Sequence, residues 1–174
     1  MKPGAIEERA GALRREFDAS FGASVAGDRP RVEDFLMLGV GGDPYALALI
    51  EIAGLHRDWR VVPMTSEAPE LVGVAGNRGT LVPVYDLGAL LGYPSDPVAR
   101  WIVTVRSPRL AFAFARFDGH LRASTQAVST RQGGSIPMRG TLSVAGLPRP
   151  IIDLTAVADA ISRGGRAKGP AREP

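Results

Sequence analysis

The sequence predicts an all-β protein, mainly strand with short helices, built as two similar β subdomains that share a core and carry an N-terminal amphipathic helix. Three observations carry the β part of this reading. Residues 34–162 break into short apolar runs separated by Gly and Pro, the punctuation of strands and turns. Tyr45-Ala-Leu-Ala-Leu is echoed by Leu110-Ala-Phe-Ala-Phe 65 positions later. Pro83-Val-Tyr-Asp-Leu87 is echoed by Pro150-Ile-Ile-Asp-Leu154 67 positions later, and Val74-Ala-Gly76 and Val144-Ala-Gly146 lead into the two copies. Patterns recurring in one order at nearly one offset mark a duplicated unit of ~65 residues, and units of that size are marginal alone, so they should share a core.

The elements follow in order. Residues 5–21 read as a helix, because Ile6, Ala10, Leu13, Phe17 and Phe21 recur at spacings of three and four while charged residues fall between them. Residues 22–31, with Gly22, Gly27, Asp28 and Pro30, have linker composition, which makes 1–31 a separable arm. Phe35–Val40 and Tyr45–Ile50 flank Gly41-Gly42-Asp43-Pro44 as a hairpin flanks its turn. Strands are expected at Arg60–Val62, Thr80–Tyr85, Trp101–Val105, Leu110–Phe114 and Pro150–Ile152, with Ser107-Pro108-Arg109 as a turn. Leu87–Leu91 and Leu154–Ile161 read as short helices, each beginning just after an Asp placed to cap it. The main domain is therefore 32–162, divided into subdomains of about 34–98 and 99–162. Residues 163–174 hold nothing apolar larger than alanine and read as a disordered basic tail.

Composition removes several functions. The chain has 174 residues with 45% hydrophobic and 22% charged side chains, ordinary values for a folded domain. There is no cysteine, which excludes a disulfide framework, a thiol nucleophile and Cys-ligated metal. No apolar run has signal-peptide or membrane-spanning length, so a cytoplasmic location without direct membrane insertion is expected. The net charge is +3, and Arg163, Arg166, Lys168 and Arg172 against Glu173 account for all of it. Residues 1–162 are electrically neutral, so nucleic-acid binding lacks a basic surface on the folded part.

No catalytic constellation assembles. His56 and His120 have no His-Glu-x-x-His spacing and read as turn or surface residues rather than metal ligands. The glycines of 39–42 and 73–76 are not followed by the Lys-Ser/Thr of a phosphate loop. Asp86 and Asp153 hold equivalent places in the repeat, which favours capping over an acid–base pair. No Gly-x-Ser-x-Gly elbow occurs. No cofactor and no metal are expected, and the protein is not expected to be an enzyme. Arg78, between Asn77 and Gly79 at a turn, can present its guanidinium to a partner or bond its own loop, and spacing alone leaves both open.

The segment Leu71–Leu87 resembles the central motif of CheW-like domains, G-V-x-N-L-R-G-x-x-V/I-P-V/I-x-D-L, at Gly73, Val74, Arg78, Gly79, Pro83, Val84, Asp86 and Leu87. The hairpin of 35–50 is similar to that family's opening hairpin, and 34–91 fits without a gap. The resemblance implies two SH3-like barrels and a non-enzymatic adaptor. Its partners would be a methyl-accepting chemoreceptor, whose helical cytoplasmic tip lies in the groove between the barrels, and the regulatory domain of a chemotaxis histidine kinase, which packs barrel end to barrel end. Carried onto this chain, the receptor site would comprise Ile52, Gly73, Asn77, Arg78 and Gly79, with Pro83, Asp86, Leu87, Pro150, Asp153 and Leu154 as structural motif residues.

The chain departs from the family at Gly76-Asn77, where the family has Asn-Leu, and at Gly54, where it commonly has Glu. The second half, from Leu110 to Leu154, is shorter than usual, which implies a trimmed second barrel. The added N-terminal helix, with Leu13, Phe17 and Phe21 on one face, offers a surface that could dock on a partner, on the chain's own barrels or in its receptor groove. The alternative of another class is a β-barrel nucleic-acid binder using the basic C-terminal tail; it requires exposed aromatics on one barrel face.

Overall fold

The computed structural model describes residues 31–95, 99–129 and 137–164. The expected helix at 5–21, with Leu13, Phe17 and Phe21, and the tail beyond residue 164 lie outside the described residues. The described chain is mostly strand: β1 (Val32–Val40), β2 (Asp43–Ala48), β3 (Ile52–Arg57), β4 (Val61–Pro63), β5 (Leu71–Asn77), β6 (Thr80–Asp86), β7 (Trp101–Val105), β8 (Ala111–Phe114), β9 (Arg116–Ser124), β10 (Val128–Ser129), β11 (Met138–Val144) and β12 (Leu147–Ile152). Two short helices, α1 (Leu87–Leu90) and α2 (Leu154–Ser162), follow β6 and β12.

The strands form two six-stranded sheets, ordered β10-β11-β12-β2-β1-β9 and β3-β7-β8-β6-β5-β4. Each sheet takes one hairpin from the other half of the chain. The β1–β2 hairpin joins β9–β12 through a parallel pair, Ala46 with Ile151, and the β7–β8 hairpin joins β3–β6 through the parallel pair Val84 with Ala111. A cut near residue 98 would therefore divide both sheets. The second half borrows β1 and β2, and its sheet has as many strands as the other.

The borrowed hairpins explain why their sequences are runs of apolar residues instead of alternating ones, since a strand buried on both faces needs apolar side chains on both. In β1, Phe35 and Met37 face a cluster with Ala46, Leu142 and Ile151, while Leu36, Leu38 and Val40 face another with Leu47, Val103, Phe112, Phe114 and Ile152. That second cluster draws from both sheets and both helices, and it is the shared core. A third cluster, with Ala75, Val82, Val84, Ile102, Ala111 and Ala113, lies within the other sheet. Each fully buried Leu, Ile or Phe there contributes roughly 1.5–3 kcal/mol relative to exposure.

The repeat seen in sequence persists in backbone conformation. Gly73 (φ 156°) and Gly140 (φ 159°) sit where the β5–β6 and β11–β12 registers shift. A Cβ on Gly73 would lie 2.1 Å from the Val62 carbonyl oxygen, so only glycine lets β4 approach. Asp86 Oδ1 accepts from the amides of Gly88 and Ala89 at 2.8 and 3.2 Å, and Asp153 Oδ1 accepts from Ala156 at 2.8 Å, the caps expected from sequence.

Candidate functional site

Asn77 and Thr80 close a two-residue hairpin turn in which Arg78 (φ 48°) and Gly79 (φ 79°) are both left-handed, the backbone of a type I′ turn. The β11–β12 turn repeats it with Ala145 (φ 49°) and Gly146 (φ 79°). Alanine thus serves the turn as well as arginine does, so the guanidinium of Arg78 is not what shapes it. Arg78 is exposed and, among the described residues, forms no hydrogen bond or ion pair. Of the two sequence readings for Arg78, bonding within its own loop is not what the structure has.

Arg78 and Asn77 border an open hollow of about 390 Å³ that also meets Ala53, Thr104, Arg106 and Arg109. Beside it lies a second hollow of about 430 Å³, lined by the apolar Val32, Ala48, Leu49, Ile50 and Ile52 together with Glu33, Asp34 and Arg106. The second hollow stands where the sheets meet, because β1 and β2 belong to one sheet and β3 to the other. Arg106 borders both, and its Nε donates to the Ile50 carbonyl at 2.8 Å, which fixes the rim between them. Ile50 is 74% exposed, the most exposed large apolar residue of the described chain.

The residues expected at a partner site distribute unevenly. Asn77 and Arg78 border the first hollow, Gly79 completes their turn, and Ile52 borders the second while packing into the shared core. Gly73 borders neither; it is buried against β4 four residues from Asn77. Sequence reasoning did not single out Ile50, Ala53, Arg106 or Arg109. The signal for the last two is the turn at Ser107-Pro108-Arg109, which Arg106 precedes and Arg109 ends.

Several other polar side chains pair within the chain. His56 stacks on Trp59 with ring centroids 4.3 Å apart, and His120 Nε2 lies 2.9 Å from Asp34 Oδ1, which Arg122 also meets at 3.2 Å. The Arg122 hydrogen bond leads in holding the Asp34 carboxyl below its ordinary range. Tyr93 donates to Asp43 and meets the Tyr45 hydroxyl at 2.9 Å. Among the described residues no group of three or more His, Asp or Glu side chains is placed to hold a metal, and no helix is long and apolar enough to cross a membrane.

A family model described as CheW-like domain matches residues 34–162. Among curated proteins, none matches the chain in sequence. The crystal structure of the scaffolding protein TtCheW from Thermoanaerobacter tengcongensis superposes with a TM-score of 0.65 at 12% sequence identity, covering 71% of this chain and 90% of that one, a likeness of fold.

Proposed function

The chain belongs to the CheW-like domain family, a family of chemotaxis scaffold proteins and not of enzymes, and from that premise we propose that it couples a chemoreceptor to a chemotaxis histidine kinase through non-covalent interfaces in the cytoplasm. The observation that carries the receptor half is the pair of adjoining hollows. One has an apolar wall of Val32, Ala48, Leu49, Ile50 and Ile52 flanked by Glu33 and Asp34, and lies at the junction of the sheets; the other is bordered by three arginines; Arg106 joins them. A helical receptor tip has an apolar face and polar flanks, and such a helix fits an apolar groove with a charged edge that sets its register. Ile52 holds the floor of the hollow at the sheet junction through the core, and Asn77 and Gly79 hold Arg78 at the edge. The kinase regulatory domain, by the family resemblance, packs on a barrel end.

The test is titration of the full chain against a chemoreceptor cytoplasmic-tip fragment and, separately, a kinase regulatory domain, each repeated with Arg78→Ala. Both partners are expected to bind, with Arg78→Ala weakening the receptor about tenfold, or ~1.4 kcal/mol, and leaving the kinase unchanged. Binding to neither partner overturns the reading.

A further inference from the structure

We propose that the arginine-lined hollow is a carboxylate clamp, in which Arg78, Arg106 and Arg109 receive an acidic side chain of the docked protein partner; the identity of that partner rests on the receptor reading above, the clamp itself does not.

The two halves of the fold differ at one equivalent place. The β3–β7 register shifts between Ile52 and Gly54, leaving Ala53 as the bulged residue. The β9–β1 register shifts between Phe117 and Gly119, leaving Asp118 as the bulged residue. Ala53 and Asp118 are 65 positions apart, the offset already seen for the hairpins, so they hold the same place in the two halves. At the second-half place the site is filled by the chain itself. Asp118 accepts from Arg116 Nε at 2.7 Å and from Arg149 Nη1 at 3.1 Å. Burial works to raise the Asp118 carboxyl, yet the two arginines outweigh it and hold it below its ordinary range.

At the first-half place the acid is missing and the cations are present. Ala53 supplies a methyl group, among the described residues no carboxylate borders the hollow, and Arg78, Arg106 and Arg109 are all exposed around it. Arg106 has the Ile50 carbonyl as partner; Arg78 and Arg109 have none among the described residues. Three like charges around one hollow repel one another, and an entering carboxylate relieves this while accepting charge-assisted, fork-shaped hydrogen bonds. The Asn77 amide and the Thr80 hydroxyl border the same hollow and can complete the set. The hollow next to it, reached across Arg106, has an apolar wall of Val32, Ala48, Leu49, Ile50 and Ile52 that takes an apolar side chain of the same ligand, with Glu33 and Asp34 on its other side and Asp34 already paired with His120 and Arg122. An amphipathic acidic protein segment has both; a polynucleotide has a repeating phosphate charge that the neutral surface of residues 1–162 does not match.

The decisive variant is Ala53→Asp, which supplies in cis the acid found in the other half. Ala53 is exposed and the replacement copies a residue already accommodated at the equivalent bulge, so the fold is expected to hold, checked by circular dichroism. Binding of the full chain is measured to the receptor-tip fragment and to a short glutamate-rich peptide. Expected are a loss of at least tenfold with Ala53→Asp and with Arg109→Ala for both probes, less than threefold with Ala53→Asn, and a fall in affinity with added salt. Equal binding of the tip fragment by wild type and Ala53→Asp overturns the clamp and leaves the receptor reading intact. A tip fragment that does not bind, beside a glutamate-rich peptide that binds and is lost in Ala53→Asp, overturns the receptor reading and keeps the clamp. Stronger competition by an oligonucleotide than by the glutamate-rich peptide overturns the acidic-protein assignment.

Discussion

The Leu154 backbone amide donates to Glu51 Oε2 at 3.3 Å, so the first residue of α2 is tied to the turn between β2 and β3, 103 positions earlier in the chain. This turn is where the chain crosses from one sheet to the other, and the bond fixes the second-half helix to that crossing. Glu51 is held there at a cost. Burial, and after it the neighbouring Asp153 carboxylate, raise its carboxyl above the usual range.

A pH dependence follows from that shift. A carboxyl whose folded pKa lies above its unfolded value favours the folded state when protonated, so the penalty is fully present above the folded pKa and disappears as pH falls toward the ordinary 4.5. Glu51→Gln removes the charge and keeps an oxygen to accept from Leu154. The variant is expected to melt a few degrees above wild type at pH 7, with the difference closing near pH 4, as thermal unfolding at the two pH values would read. A variant that melts lower at pH 7 would mean that the charged hydrogen bond outweighs the burial cost.

The two aspartate caps should differ in weight although the sequence repeats them. Asp86 is 4% exposed, serves two amides and also accepts from Ser95 Oγ at 2.6 Å, whereas Asp153 is half-buried and serves one amide of its helix. Asp86→Ala is expected to cost about 2–3 kcal/mol and Asp153→Ala about 1 kcal/mol in urea unfolding. Equal losses would show that the helix cap alone matters and the Ser95 contact does not.

Much of this was legible in the sequence, and the exceptions have physical causes. The β1–β2 and β7–β8 hairpins announce themselves because strands buried on both faces must be apolar throughout, and Asp86 and Asp153 because a cap needs a particular side chain at one position. Strand β3 was not read as an element: Ala53 bulges, Gly54 follows, and His56 and Arg57 end it, so no alternation survives. Strand β9 does alternate, with Phe117, Leu121 and Ala123 partly covered between exposed Asp118, His120 and Arg122 neighbours, but Gly119 and the charges masked it. The hairpin exchange was invisible for a different reason. Parallel pairing of Ala46 with Ile151 joins residues with no local signal for each other, and two offsets of 65 and 67 fit a contiguous and an exchanged arrangement equally well. At the candidate site, Arg78 was found through a motif, while Ala53 mattered only after its equivalence to Asp118 was seen in the backbone.

Gly73 and Gly79 separate structure from partner contact. Gly73→Ala would place a methyl group on the Val62 carbonyl at a left-handed φ, and a loss of about 3 kcal/mol or more is expected. Gly79→Ala meets open space and should cost only its left-handed backbone, on the order of 1 kcal/mol. Chemical unfolding would rank them. If Gly73→Ala folds with wild-type stability yet fails to bind a receptor tip, its place in the family motif is one of contact, not of clearance for β4.

Phe112 tests whether the two sheets are one folding unit. It lies on β8, is 0% exposed, and packs in the cluster that includes Leu36, Leu38 and Leu47 of one sheet, Val103 of the other, and Leu154 and Val157 of α2. Phe112→Ala removes side-chain atoms from the centre of that cluster, and a loss of about 3–5 kcal/mol is expected because the surrounding strands are pinned by pairing on both sides and collapse poorly into the gap. Since each sheet contains a hairpin from the other half of the chain, neither can detach without unpairing the parallel strands, Ala46 from Ile151 or Val84 from Ala111. The variant should therefore unfold in one transition whose tryptophan fluorescence, reporting Trp101 in the second sheet and Trp59 packed against its cluster, coincides with far-ultraviolet circular dichroism of the whole chain. Two separated transitions would mean that the exchanged hairpins do not couple the sheets, and that the core they share is weaker than its burial suggests.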